Sequence, residues 1–528
     1  MRLGALIVGA ALTVLGSLSG CSPRALPQHE LRIAFPIDPT SLSPLYAFAQ
    51  DQIALDLFWC QTLVGLDEHN RFIPILAARI PTRENGDISP DGLTITYRLR
   101  RDVRFADGAA FTSADVAFTY RAILDPSNSA PTIGDYQRIA SLRTPDQHTV
   151  VVKLRAPWAA AVRVLFAEAD EAYGIFPAHA FTSSTISRSS WGQHPFGTGP
   201  FRVTSWRRGD QILLEPNPYY MPQPKLQRIV VRIFPDQNTA FNALQTREVD
   251  VATLYSDNIE QASQIDGLRV TRTLENGEVA FFLQTAAGPT QDISVRRAIS
   301  HALDVQALSK AWRGEFPIAH SIFPPPVVSW KSRAVMAYQH DVARANQELE
   351  SAGWHLQSNV RTRNGQPLIL VIVTNAANAM SNRVAVLAQQ QLAAIGVRVL
   401  VKAYSPSVLS GPEGAARTGN FGLLITAMIG GSDPEQSLNF TCAARSGGAN
   451  FSRYCTPRFE RLYAEQHGAS NEREREQLFD AIQDVIHNDI PSFPLFDFVN
   501  IEGVNKRVTD YKRNMLRYPI RAEDWDAP

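Results

Sequence analysis

Ser89-Pro90-Asp91-Gly92-Leu93-Thr94-Ile95-Thr96-Tyr97-Arg98-Leu99-Arg100 runs into Val103-Arg104-Phe105-Ala106-Asp107-Gly108, and Ala114-Asp115-Val116-Ala117-Phe118-Thr119-Tyr120 follows shortly after. Asp91-Gly92 and Asp107-Gly108 are turn signals, because glycine enters left-handed backbone without a Cβ penalty. Between them Ile95, Tyr97 and Leu99 alternate with polar partners, the period of a strand with one buried face. Thr112 and Asp115 have capping-box spacing ahead of Val116, Tyr120, Ile123 and Leu124, and Asp125-Pro126 stops that helix. One short stretch thus supplies a turn, a strand, a second turn and a capped helix.

Similar punctuation continues along the chain. Val150, Val152 and Leu154 alternate as a second half-buried strand. Leu368–Val373 is apolar throughout, as expected of a strand covered on both faces. A helical stripe of Val384, Leu387, Ala388, Leu392 and Ile395 follows, ended by Gly396, and Val397–Val401 returns as a strand. That is a βαβ unit and hence a parallel sheet. Asp292 caps a helix carrying Val295, Ile299, Ala302 and Leu303, and Asp341 opens another that ends at Gly353. Thr456 and Pro457 start a helix with Phe459, Leu462 and Tyr463. Asn471–Asp489 is a long helix with Leu478, Ile482, Val485 and Ile486 inward, and its charged run Glu472–Glu476 reads as a solvated face. No short-period repeat or low-complexity tract occurs, and the class is mixed α/β with antiparallel strands added.

The chain of 528 residues corresponds to about three and a half domain units at roughly 150 residues each. Hydrophobic residues are 45% and charged residues 19%, the reverse of a disordered composition. Lysine plus arginine equals aspartate plus glutamate at 51 each, so no basic excess exists to neutralise a phosphate backbone, and nucleic acid is not expected as a partner. Arg2 precedes the uncharged run Leu3–Leu18, which at about 1.5 Å per residue spans roughly 24 Å, short of a bilayer's ~30 Å core. It reads as a signal-peptide h-region covering residues 1–20. Leu18-Ser19-Gly20-Cys21 resembles the bacterial lipobox, which makes Cys21 the acylated first residue of an anchored chain; the alternative is an ordinary signal peptide with a chance cysteine. Residues 21–30 read as a tether, and Ser22 is not the Asp that retains lipoproteins in an inner membrane. Cys442 and Cys455 bracket a glycine-containing loop and are the natural disulfide pair, whereas Cys60 follows Leu57-Phe58-Trp59 and reads as a buried free thiol.

Further segments follow in a fixed order. They are Gly197-Thr198-Gly199-Pro200-Phe201, Trp206, Asn217-Pro218-Tyr219-Tyr220 and Glu248-Val249-Asp250-Val251, then Val295-Arg296-Arg297-Ala298-Ile299 with Ala302-Leu303-Asp304. Ala352-Gly353-Trp354, Ile395-Gly396-Val397 and Asp433-Pro434 complete the series. With the opening stretch, they resemble the signature of extracellular solute-binding protein family 5, the receptors of dipeptide, oligopeptide and nickel ABC importers. The resemblance covers about residues 31–505, and Thr441-Cys442-Ala443-Ala444 to Asn450-Phe451-Ser452-Arg453-Tyr454-Cys455 is most similar to the dipeptide-binding branch. Gly197 and Gly199 are expected to supply backbone geometry forbidden to side chains; no strand-GxGxxG-helix context makes them a phosphate loop.

The resemblance implies a two-lobed periplasmic binding protein-like fold of the large three-subdomain type, with mixed sheets and a hinged cleft. Lobe I is expected at 31–280 plus 490–528, with an extra subdomain at about 65–195, and lobe II at 281–489. Ligand-binding candidates are Phe48, Gln50 and Asp51 after the first strand, with Tyr46 as an alternative aromatic wall; otherwise these pack against Leu45 and Ile53. From lobe II come Tyr404 at a strand end, Thr426 and Met428 after Leu423–Ile425, and Gly430, Gly431 and Asp433. Peptide-binding members carry an Asp for the ligand's ammonium four residues before the proline of this segment; here that position is Gly430. Asp433 either substitutes for it or is a turn residue before Pro434.

The implied function is capture of a peptide or similar small solute and its delivery to permease subunits, by a monomer on the extracytoplasmic side of a membrane. No catalysis and no cofactor are expected. Among the eleven histidines no pair has ligand spacing, so no metal site is expected, and nickel would arrive in a chelate. No GxSxG, HExxH or Walker segment supports an enzyme. The alternatives are a ligand sensor or chaperone on the same fold, and a non-peptide solute such as an opine, sugar or metal chelate.

Overall fold

Leu268–Leu283 and Ser492–Asn505 form two long antiparallel strands near the middle of a ten-stranded sheet. The computed structural model describes residues 28–47, 49–130, 133–169, 173–187, 189–255, 258–310, 315–322, 338–435, 440–446, 450–469 and 471–528. On one side of the long pair lie Leu423–Ile429, Ile369–Asn375 and Arg398–Tyr404; on the other lie Val251–Thr253, Glu30–Phe35, Arg228–Ile233, Gln211–Pro216 and Phe201–Arg207. One sheet therefore runs through both halves of the molecule, and the long strands are the crossovers between them.

The expected βαβ unit is present. Ile369–Asn375 and Arg398–Tyr404 pair in parallel from Ile369–Arg398 to Asn375–Tyr404, with helix Ala379–Ala393 between them. The uninterrupted apolar run has a direct cause: Leu370 and Ile372 enter one core, whereas Val371 and Val373 face a second core on the opposite side of the sheet. Gly396 ends the connection at φ +79°, a conformation L side chains rarely adopt.

Thr94–Arg98, Thr149–Leu154 and Ile139–Asp146 make a separate three-stranded sheet, covered by helix Ser113–Leu124. Its capping box is formed, with the Thr112 N–H donating to Asp115 Oδ2 at 2.8 Å. Gly92 and Gly108 sit at φ +68° and +93°, as their turns require. Gly197 and Gly199 differ from expectation. Neither needs a left-handed backbone; the constraint is close approach, because a Cβ would lie 2.1 Å from the Trp59 carbonyl oxygen and 2.5 Å from that of Phe58.

Asp250, from the Glu248–Val251 segment, is fully buried between Arg32 of the first strand and Arg507 beyond the last. It joins the two ends of the chain. Cys442 and Cys455 form a disulfide with Cα atoms 4.7 Å apart. Cys60 is a buried free thiol whose pKa burial pushes well up, which makes it inert. The run Glu472–Glu476 is not wholly a solvated face: Arg475 is buried on helix Glu472–Asp489, where Phe479 rather than Leu478 points inward. Residues 1–20, Cys21 and Phe48 lie outside the described residues. Among the described residues, no helix is long and apolar enough to cross a membrane.

Candidate ligand cleft

The crossover strands do not pair evenly. Thr273 faces Asn500 and Leu274 faces Val499, but the next partners are Glu278 and Asp497, so Glu275-Asn276-Gly277 is left out of that ladder. Such a break bends a strand and re-aims its side chains. Glu275 turns to one half of the molecule and is held by Arg517, with Nε at 2.7 Å and Nη2 at 3.0 Å. Asn276 turns to the other: its carbonyl accepts the Gly430 N–H at 2.7 Å, and its side-chain amide donates to the Gly431 carbonyl. Only glycine fits at 277, because a Cβ would meet the Met428 carbonyl oxygen at 2.8 Å. The register break is thus where the two halves converge.

Gln50 and Asp51 occupy the first turn of helix Gln50–Asp56 rather than a loop. The Gln50 amide donates to the Leu516 carbonyl at 2.6 Å, and Asp51 accepts from Arg517 at 3.4 Å, so Asp51 and Glu275 share one guanidinium. Tyr46 packs against the large core of the same half. Opposite them, Thr426 and Met428 lie within strand Leu423–Ile429, facing Ala280 and Glu278 respectively, and Tyr404 ends its own strand beside Asn375. Thr426, Met428 and Tyr404 share one face of the sheet, since Ala280, Leu424 and Val373 all enter the core that Met428 and Tyr404 border.

Beyond Gly431 the chain reaches the three-stranded subdomain. The Ser432 hydroxyl donates to the Arg163 carbonyl at 2.9 Å, and the Asp433 carboxylate takes 2.6 Å hydrogen bonds from both terminal nitrogens of Arg475 and a 3.4 Å one from Arg163. These guanidinium groups hold the buried Asp433 carboxyl below its ordinary range despite desolvation. Arg163 also pairs with Glu472. Nearby, the Trp158 indole donates to Glu435 at 3.3 Å, and the Ala159 N–H donates to the His467 carbonyl at 3.0 Å. Together these contacts latch the subdomain to helices Pro457–His467 and Glu472–Asp489. A cavity of 480 Å³, lined by Phe72, Ile80, Trp158, His467 and Arg475 among others, adjoins the latch.

The structure therefore brings Asp51, Met428, Gly430 and Gly431 to the register break, while Asp433 belongs to the latch. Glu278 and Asp497 were not singled out from sequence. Both are buried, and Glu278 Oε2 and Asp497 Oδ1 have no hydrogen-bond partner. Burial lifts the Glu278 pKa well above its ordinary value and that of Asp497 to about 7. A signal existed: Asp497 is the lone charge in Phe493–Val499, and Glu278 heads the apolar run Val279–Leu283. Among the described residues, no group of three or more His, Cys, Asp or Glu side chains is placed to hold a metal ion.

Two halves joined by two crossover strands, with polar groups of both meeting at a break in those strands, define a two-lobed solute-binding receptor. Residues 71–449 match the description "Bacterial extracellular solute-binding proteins, family 5 Middle", and the chain belongs to that family. Its members are substrate-binding proteins of ABC transporters and not enzymes. The chain is similar to di/tripeptide-binding protein 2 of Pseudomonas aeruginosa, 27% identical over 482 residues that span 86% of this chain and 87% of the other. Its fold is similar to that of NikA from Brucella suis in complex with Fe(III)-EDTA, with a TM-score of 0.81, 20% identity, and coverage of 94% of this chain and 100% of that one. The oligopeptide-binding protein AppA from Bacillus subtilis, in complex with a nonapeptide, gives a TM-score of 0.74 at 21% identity, over 94% of this chain and 99% of that one.

Proposed function

We propose that the chain is a lipid-anchored extracytoplasmic receptor of an ABC importer, which captures a peptide or similar small solute between its lobes and delivers it to the permease. The observation that carries this reading is the Glu275–Gly277 register break, where side-chain and backbone groups of both lobes meet on the crossover strands. Lobe I is taken as 31–280 plus 490–528, with a subdomain at about 65–195, and lobe II as 281–489. Gln50 and Asp51 line the cleft from lobe I, and Tyr404, Met428, Gly430 and Gly431 line it from lobe II. Asp433 contributes by fixing the closed arrangement, because its carboxylate is already engaged by Arg475 and Arg163. Closure follows from contacts made only in the closed state, so apparent affinity scales with the closed population. Cys21 carries the lipid.

The peptide reading draws on the similarity to the di/tripeptide-binding relative. A second reading, a non-peptide solute such as a metal chelate, is favoured by the absence of a carboxylate at Gly430. Native mass spectrometry of the protein purified from its own envelope tests the account: a stoichiometric bound solute supports it, and a chain that carries nothing and binds no peptide, sugar or chelate refutes it. Replacing Cys21 with Ala is expected to move the protein from the membrane fraction to the soluble envelope fraction.

A further inference from the structure

Most buried carboxylates in this protein have assigned partners: Asp250 has Arg32 and Arg507, Glu275 has Arg517, Asp433 has Arg475, and Glu502 has Arg513 and Tyr511. Glu278 and Asp497 break this pattern. They are 2% and 4% exposed, face each other across the crossover strands, and each leaves a carboxylate oxygen without a hydrogen bond. Asn276 Oδ1, two residues before Glu278, is likewise buried and unpartnered. Among the described residues, no Arg, Lys or His forms an ion pair with either carboxyl. Asp56, a buried carboxyl with both oxygens unpartnered, is by contrast a single group beside Cys60 in lobe I.

We propose that Glu278 and Asp497 together anchor a positively charged group of the ligand, an ammonium or a guanidinium, in place of the carboxylate that position 430 lacks. The inference rests on the receptor reading and adds the chemistry of the solute. Glu278 lies directly opposite Met428 and therefore on the sheet face that Met428, Thr426 and Tyr404 share. Relative to Gly430 it is displaced by one strand spacing, about 4.8 Å, and by two residues, roughly 6.6 Å. A carboxyl group moved by that distance still serves the same end of the cleft. The pair and the neighbouring Asn276 oxygen only accept hydrogen bonds once ionised, so the group that completes them is a donor carrying positive charge. Burial raises both carboxyls when the site is vacant, and a bound cation supplies the counter-charge that permits their ionisation.

The test uses the mature protein and its Glu278→Gln, Asp497→Asn and double variants. The probes are tri-alanine, N-acetyl-tri-alanine, and N-acetyl-Ala-Arg-Ala amide, whose only cation is on a side chain. Calorimetric titration is expected to show wild-type binding of at least one cation-bearing probe and no binding of N-acetyl-tri-alanine. The double variant is expected to bind the accepted probe at least 30-fold more weakly, with a ligand-free melting temperature equal to or above that of wild type. Equal affinity in wild type and double variant overturns the inference. So does equal affinity for the acetylated and free tri-alanine, a wild type that binds no cation-bearing probe, or a double variant that melts lower without ligand. In each of those cases the receptor reading still stands if the protein carries a solute from its envelope, so the two fail separately.

Discussion

Arg163 is the residue whose removal should open the cleft without unfolding either lobe. It sits in the short helix Ala161–Val164 of the subdomain, and its guanidinium reaches Asp433 at 3.4 Å and Glu472 on the facing lobe. Arg163→Met keeps the apolar stem, which places the guanidinium carbon 5.1 Å from the Phe72 ring centre, and removes only the charge. Asp433 keeps its two 2.6 Å bonds from Arg475, so no buried carboxylate is orphaned. The Asp433 contact is long, so its worth is near the low end for a charged hydrogen bond, about 1.5 kcal/mol. Glu472 is exposed, so that pair adds roughly 0–1 kcal/mol after solvent screening. A loss of about 1.5–2.5 kcal/mol from the closed state alone weakens apparent affinity roughly 10- to 60-fold. Calorimetric titration with the co-purified solute measures this, with the ligand-free melting temperature as a folding control. Binding within twofold of wild type would refute the assignment of Arg163 as a contact specific to closure. Asp433→Asn provides the contrast: it removes the carboxylate that takes both terminal nitrogens of the buried Arg475 and is expected to cost about 3–5 kcal/mol of stability.

Three other outcomes are expected. Asp497 has a folded-state pKa near 7, above the unfolded value of about 3.9, so its stabilising contribution is present in full below the unfolded value and lost as pH rises through 7. Ligand-free stability should therefore fall between about pH 4 and 7 by up to about 1.4 kcal/mol per pH unit for this group and level off above that, and Asp497→Asn should flatten the profile in chemical denaturation. Replacing Cys442 and Cys455 with Ser removes a cross-link of 13 residues' separation and should lower stability by about 3 kcal/mol on a chain-entropy estimate, read as a shift of the denaturation midpoint. Gly199→Ala puts a Cβ 2.5 Å from the Phe58 carbonyl oxygen and should cost at least about 1–3 kcal/mol, whereas Gly134→Ala, with nothing within 4 Å, should cost far less.

Much of the architecture was legible because its causes are local. The Thr112–Asp115 capping box, the Asp292 and Asp341 caps, and the Gly396 stop each depend on residues a few positions apart. The apolar run at Leu368–Val373 reported a strand between two cores, and the structure supplies both. What failed depended on partners distant in sequence. Arg475 sits in a charged run and read as solvated, yet Asp433 is 42 residues away and draws it inside. Gly197 and Gly199 carry no trace in sequence of the Phe58 and Trp59 carbonyls that exclude a side chain. The cleft was the least legible part. Gln50 and Asp51 were named, but only the structure shows Arg517 bridging Asp51 to Glu275 across a register break. Isolated acids at Glu278 and Asp497 within apolar strands were the signal available, and the alternation patterns that locate strands give such residues no weight.

A solute bound between the lobes is expected to draw them together about the two crossover strands. This closure is tested most directly by pulsed electron resonance between spin labels at Tyr219 and Val386, exposed positions in the two lobes, in a background with Cys60 replaced by Ala. The expected result is a broad or longer distance distribution without ligand that narrows and shortens when the envelope-derived solute is restored. A single distribution, unchanged by saturating solute, would contradict it.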